Sequence, residues 1–135
     1  VIIGGGSVGC ETADYLAPLI NDLFSTNRDI TLIEMTNGLM TGESGATKSL
    51  LTRRMMEKGV KIELNSKITY VDETTIKYEK NNQEYVLNDV DTLVFAVGYQ
   101  PISSPIENGH LICDCQKVGT LKDAISQAYQ ITREI

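Results

Sequence analysis

The stretch VIIGGGSVGCETADYL (Val1–Leu16) decides how this chain is read. Three apolar residues run into a triple glycine, and the glycines fall as Gly4-x-Gly6-x-x-Gly9. Val1–Ile3 read as the end of a buried strand. Val8, Tyr15, Leu16, Leu19 and Leu23 then recur at helical spacing. Pro18 lacks a backbone donor and clashes with the preceding turn, so we expect a kink near Ala17 or a break with Pro18 opening a second short helix. The β-rich run DITLIE (Asp29–Glu34) follows and ends in an acid. Strand, glycine turn, helix and strand make a βαβ unit.

The glycine spacing has a physical reason. Gly4 allows a tight turn, Gly6 lets a pyrophosphate approach the backbone, and Gly9 lets the helix pack close to the strand. The helix N-terminus offers free N–H groups and the positive end of its dipole to phosphates. A dinucleotide site also needs an acid at the end of the second strand, about 20 residues on, for the adenosine ribose. Glu34 holds that place, somewhat further along, and the second helical segment around Pro18 takes up the extra residues. A glycine motif alone is weak evidence, and a glycine turn followed by a solvated surface glutamate is the plain alternative. The strand before, the helix after and the acid on the next strand make this one more specific. Glu11, in the first helical turn, reads on chemistry alone as an acid favoured by the helix dipole.

With 135 residues there is room for one domain with a core. Apolar content of 41% and charged content of 22% are ordinary for a soluble globular protein. The formal net charge is −6 with no Lys/Arg run, which argues against nucleic acid as a partner. No apolar stretch approaches the ~18 residues of a membrane span, and the N-terminus has no basic region of a signal peptide. Cys10, Cys113 and Cys115 are an odd set with no disulfide pattern, so a reducing cytoplasm is expected. Cys113-x-Cys115 matches neither the redox C-x-x-C spacing nor a four-ligand zinc set. The single histidine, His110, reads as solvated in a polar loop. No metal cluster, Ser/His/Asp set or carboxylate pair suggests independent catalysis.

GATKSLLTRRMMEKG (Gly45–Gly59) predicts a second helix with Leu50, Leu51, Met55 and Val60 as apolar contacts and Gly59 as its C-cap. VKIEL (Val60–Leu64) predicts a strand. The period then changes to 2: KITYVDE, TIKYEK and EYVLN predict an antiparallel meander between Lys67 and Asn88. DTLVFAVG (Asp91–Gly98) predicts a strand returning to the buried sheet, HLICD (His110–Asp114) a last strand, and GTLKDAISQAYQITREI (Gly119–Ile135) a closing helix. Leu121, Ile125, Ala128, Tyr129 and Thr132 lie close to one face of that helix. The fold class is α/β: a Rossmann-like central parallel sheet, a three-stranded antiparallel meander as crossover, and a C-terminal helix.

IIGGGSVGCETADYL, TLIEM, LVFAVGYQP and ICDCQKVGTLKDAISQAY, in this order, resemble the C-terminal part of the NADH:flavin oxidoreductase, 2,4-dienoyl-CoA reductase, enoate reductase and trimethylamine dehydrogenase group. The resemblance covers nearly the whole chain. The first two motifs are common to all glutathione-reductase-like proteins, whereas GTLKDAISQAY is more particular to the barrel-linked group. It implies an FMN-bearing TIM barrel and an FAD-binding domain in the same polypeptide, upstream of Val1. This chain would then be the inserted NAD(P)-binding domain, residues 1–100, plus a segment returning to the FAD domain, residues 101–135. On that resemblance Gly4, Gly6 and Gly9 match the phosphate loop and Glu34 the ribose ligand, with Ser7, Val8 and Met35 beside them. Glu11 matches an acid near the nicotinamide end. Ala96, Gly98 and Pro101 match an A-x-G-x-x-P junction between the nucleotide domains, and Asp114 matches the acid of a G-D pair at the flavin cofactor's linker. Cys113 stands where that pair has glycine, and Gln100 where a basic residue is common.

The implied function is delivery of hydride from NADH to flavin for reduction of an enoate or enoyl-CoA-like substrate. FAD and FMN would be held only by the longer protein. The alternatives are the pyridine-nucleotide domain of a disulfide-reductase-like flavoprotein and a regulatory nucleotide-binding module without catalysis. Glu34 favours NAD over NADP, since a 2′-phosphate would meet a like charge and Met35, Thr36 and Asn37 supply no cation. Arg28, Arg53 and Arg54 are the cations whose position bears on that preference. The apolar face of the closing helix predicts packing on the FAD domain, self-association as a homodimer, or docking on the insert's own sheet.

Overall fold

The structure is a computed structural model that describes residues 1–18, 28–102 and 109–134. The chain forms two compact units, Val1–Val97 and Gly98–Ile135. The first holds β1 (Ile2–Ile3), α1 (Ser7–Leu16), β2 (Thr31–Ile33), α2 (Gly45–Glu57), β3 (Lys61–Glu63), β4 (Ser66–Val71), β5 (Ile76–Lys80), β6 (Gln83–Leu87) and β7 (Val94–Phe95). The second holds a 3₁₀ turn at Cys113–Cys115 and α3 (Leu121–Ile131).

Four strands form a parallel sheet in the order β3-β2-β1-β7, and β4-β5-β6 form a separate antiparallel sheet. The parallel register places Ile62, Leu32, Ile2 and Val94 in one row across the sheet. That row faces a core with Cys10, Ala13 and Ala17 of the α1 segment and Leu51 and Met55 of α2. Successive strand side chains point to opposite faces. Val1, Ile33 and Leu93 therefore join the other core, with Ile76 and Tyr78 of the meander. Lys80 Nζ donates to Glu63 Oε2 at 2.8 Å and ties the meander to the edge strand β3. The fold expected from the sequence is the one found, an α/β Rossmann-like sheet with a meander crossover and a C-terminal helix.

Several expected details differ. The buried side of α1 is Gly9, Cys10, Ala13 and Asp14, whereas Val8 and Tyr15 are exposed. Small residues face the sheet because the helix lies too close to it for large ones. α1 stops at Leu16, as Pro18 requires, with Ala17 as C-cap in an extended conformation. The proposed second short helix, with Leu19 and Leu23, falls outside the described residues. Leu50 points to solvent, leaving Leu51 and Met55 as the core face of α2. Ser44 caps that helix by accepting from the Thr47 N–H.

In the second unit, HLICD is not a strand. Cys113–Cys115 turn in 3₁₀ geometry, with Cys113 at φ +45°, a left-handed conformation that breaks any extended run. α3 starts with a capping box between Thr120 and Asp123. Its Leu121, Ile125 and Tyr129 are exposed.

Candidate functional site

The turn from β1 into α1 is built by close approaches. Gly4 has φ +109°, which side-chain-bearing residues rarely adopt, and a Cβ there would stand 2.2 Å from the Ala96 carbonyl oxygen. A Cβ on Gly9 would stand 1.9 Å from the Gly4 carbonyl oxygen and 3.3 Å from the Ala96 Cβ. Ala96 is fixed beside both by its N–H bond to the Ile3 carbonyl, 2.8 Å. The loop, the helix and the end of β7 therefore meet at atoms that leave room only for glycine and alanine.

Gly6 is different. A Cβ there would meet nothing within 4 Å. Gly6 is also the N-cap of α1 and, having no side chain, makes no side-chain cap of its own. Helix N-terminal N–H groups need a partner, and Gly6 at this end is exposed. Helix N-termini of this kind are where phosphate groups bind in general.

Glu34 follows directly on β2. Its N–H donates to the Glu63 carbonyl at 2.8 Å, and its carbonyl accepts from the Ser66 N–H at 2.9 Å, so its backbone is held by the chain leaving β3. Its carboxylate reaches the glycine loop: Oε2 accepts from the Gly5 N–H at 2.6 Å and Oε1 from the Thr36 N–H at 2.7 Å. Burial pushes this carboxyl up. The Gly5 and Thr36 N–H donors, with further help from the Thr36 hydroxyl and Met35 N–H, outweigh burial and hold it below the usual carboxylate range.

The connection from β2 to α2 closes over the loop from the other side. The Met40 N–H donates to the Gly5 carbonyl at 2.7 Å, and the Leu39 side chain lies against Gly5. Met40 has φ +47°, held by its almost fully buried side chain and by that hydrogen bond. The peptide groups on both sides of the Gly5 Cα are thus fixed by residues 34–40. Glu43, further along, accepts a 2.7 Å hydrogen bond from Ser7 Oγ at the start of α1.

The structure gathers Gly4, Gly6, Ser7, Gly9, Glu34 and Ala96 around one loop. Val8 (53% exposed) and Met35 (70% exposed) present apolar surface in the same segments. Glu11 is exposed one turn along α1 from Ser7, on the same face by helical spacing. Gly98 and Asp114 belong to the second unit. There Asp114 Oδ1 accepts from the Gly119 N–H at 3.1 Å, and the left-handed Cys113 N–H donates to Gln127 Oε1 at 2.5 Å.

The sequence did not point to Gly5, Leu39, Met40 or Glu43, because their roles are backbone contacts and loop closure that leave no compositional trace. Nor did it show the inward Asp14. Arg54 donates to both Asp14 carboxylate oxygens, with Nε to Oδ1 at 3.1 Å, and Lys58 Nζ lies 3.0 Å from Oδ1. The Arg54 guanidinium, with Lys58 beside it, holds the Asp14 carboxyl below its usual range against the opposing effect of burial. An acid among the small residues at positions 9–17, opposite Arg54 and Lys58 one helical turn apart, was the available signal.

The arginines have their own partners: Arg54 on Asp14, Arg53 3.6 Å from Glu57, and Arg28 on the Leu16 carbonyl at 3.4 Å. Lys48 is a further cation near this loop. Its Nζ lies 3.5 Å from where a Gly38 Cβ would stand. Cys10 is fully buried with its thiol on the Gly5 carbonyl, and burial, then the charges of Glu34 and Glu11, push it to about 11. It is a packing residue. His110 is exposed. No metal-holding cluster occurs among the described residues, and no described helix is long and apolar enough to cross a membrane.

Residues 1–123 match the pyridine nucleotide-disulphide oxidoreductase family, to which the chain therefore belongs. A cinnamate reductase of Clostridium sporogenes is 28% identical over 145 aligned positions that take in 100% of this chain. An NADH oxidase of Thermoanaerobacter brockii is 23% identical over the same share. The chain spans 21% of the length of each of these relatives. A solved 2-naphthoyl-CoA reductase has the same fold over 99% of this chain and 20% of its own, with a TM-score of 0.72 and 19% identity.

Proposed function

We propose that this family member is the NAD(H)-binding part of a larger flavin-dependent oxidoreductase, one that passes hydride from NADH to flavin for reduction of an enoate or enoyl-CoA-like substrate. One observation carries the nucleotide assignment: α1 starts at Gly6, where a Cβ would meet nothing within 4 Å, within a loop whose Gly4 and Gly9 cannot carry a side chain, with Glu34 at its edge. When bound, the nicotinamide would supply the hydride. The chain's own part is to hold and orient. First-turn N–H groups and Ser7 Oγ receive the pyrophosphate, and the Glu34 carboxylate receives the ribose hydroxyls. Val8, Glu11 and Met35 border the remainder of the nucleotide, with Ala96 behind the loop. Gly98 and Asp114 serve the junction with an FAD-binding part.

The names of the relatives support the rest. A cinnamate reductase and an NADH oxidase both align with the whole of this chain, which spans only 21% of the length of each. Cinnamate is an enoate, and the reductase of matching fold acts on an aromatic acyl-CoA. FAD, FMN and the barrel that would hold the FMN are assigned to the longer polypeptide.

The test is parallel titration with NADH and NADPH. A 2′-phosphate near the Glu34 carboxylate costs ~1 kcal/mol, about fivefold in Kd, at a partly exposed site. We expect NADH to bind about fivefold tighter, Glu34→Gln to narrow that gap, and Lys48→Ala to leave it in place. Equal affinities in the unaltered protein would remove Glu34 from the ribose, and no binding of either would end the nucleotide assignment.

A further inference from the structure

We propose that Glu43 is an internal placeholder for the cofactor's pyrophosphate, a carboxylate that occupies Ser7 at the mouth of the phosphate loop and must yield for the nucleotide to bind. The inference rests on the nucleotide reading above and adds a residue that sets its affinity. Ser7 is the first residue of α1, and its hydroxyl donates to Glu43 Oε1 at 2.7 Å. Ser7 directly follows Gly6, where a Cβ would meet nothing within 4 Å. A carboxylate there meets the positive end of the helix dipole, as a phosphate would.

The backbone that carries Glu43 is anchored on both sides. The Met40 N–H is fixed on the Gly5 carbonyl, the Glu43 N–H bonds the Met40 carbonyl at 3.1 Å, and Ser44 is already the N-cap of α2. The short span between two anchored residues brings the Glu43 side chain to Ser7. Glu43 itself is exposed, so its carboxylate can swing into solvent without disturbing a core. While it remains, it takes the hydroxyl donor and adds a negative charge where a pyrophosphate would add more. The protein thus trades affinity for a loop that is already ordered before the nucleotide arrives.

The experiment titrates NADH, ADP-ribose and adenosine into the protein and into Glu43→Gln and Glu43→Ala. At low salt both variants are expected to bind NADH and ADP-ribose roughly three- to tenfold tighter, the size of a one-charge repulsion across several ångströms of partly solvated space. The advantage should shrink as salt screens the repulsion. Adenosine, which has no phosphate, should bind all three proteins alike. NADH binding that is unchanged or weaker in both variants, or a gain that persists at high salt or extends to adenosine, would overturn the placeholder while leaving the nucleotide site standing. Failure of all three proteins to bind NADH or ADP-ribose would overturn both.

Discussion

One methyl group placed at two glycines of the same loop should have opposite consequences. At Gly9 a Cβ would stand 1.9 Å from the Gly4 carbonyl oxygen, a backbone atom that cannot step aside without moving β1 or α1. Gly9→Ala should therefore destabilise the protein by at least about 2 kcal/mol, the cost of overpacking at a rigid contact, and loosen the loop as well. At Gly6 a Cβ meets nothing within 4 Å, and φ −69° with ψ −178° is open to alanine. Gly6→Ala should cost at most about 1 kcal/mol of stability, because alanine is a poorer N-cap than glycine. The added methyl would nevertheless fill the space through which a pyrophosphate approaches. Pushing a phosphate oxygen outward by about 1 Å breaks one charge-assisted hydrogen bond to the loop, worth ~1.5–3 kcal/mol, or roughly ten- to a hundredfold in Kd. Urea melts and NADH titrations on the two variants separate these effects. A Gly6→Ala protein that binds NADH as tightly as the unaltered one would refute the assignment of the open face of Gly6 to the pyrophosphate.

Asp14→Asn would leave Lys58, only 12% exposed in its side chain, without its charge partner, and should cost about 2 kcal/mol at neutral pH by urea denaturation. Because the Asp14 carboxyl is held below its usual range, that advantage of the native residue is full above about pH 5 and fades as pH falls below about 4, so the two stability curves should converge in acid; parallel curves would mean that the Asp14 charge contributes nothing. Cys113 occupies left-handed backbone at φ +45°, so Cys113→Gly should raise the melting temperature of the second unit by roughly 3 °C and Cys113→Val should lower it. Equal melting of the three proteins would show that the conformation carries no strain.

The sheet was legible because its signals are local. Alternation in KITYVDE, TIKYEK and EYVLN gave three meander strands within one or two residues of β4, β5 and β6. Gly4 and Gly9 were legible because a fixed spacing encodes a close approach, which Ala96 then completes. The failures share a cause. The apolar spacing of Val8, Tyr15 and Leu16 marks a helix but not its buried face, because a helix lying close over a sheet buries its smallest side chains. HLICD looked like a strand because Ile112 and Cys113 have strand-like side chains, while the left-handed turn at Cys113 is decided by contacts with Gln127 and Lys117. Asp14 was hidden because its meaning lies in Arg54 and Lys58, far along the chain.

Glu34 shows why a residue recognised by position can still be half understood. As the acid after β2 it is expected to face a ribose, and its place in the sheet fits that. Its carboxylate also accepts the Gly5 N–H at 2.6 Å, while Met40 takes the Gly5 carbonyl. The flexible middle of a triple glycine is thereby held at both of its polar groups, so its entropy is lost on folding instead of on binding. On the proposed reading the same side chain sorts nucleotides by their 2′ substituent, and it keeps the glycine loop in shape. Replacement by alanine would remove both contributions at once. Glutamine keeps one acceptor oxygen and an amide of similar length, so it removes the charge while preserving part of the hold on the loop. Loss of NADH affinity in Glu34→Ala beyond that in Glu34→Gln therefore measures the loop-ordering share, and the change in the NADH-to-NADPH ratio measures the charge.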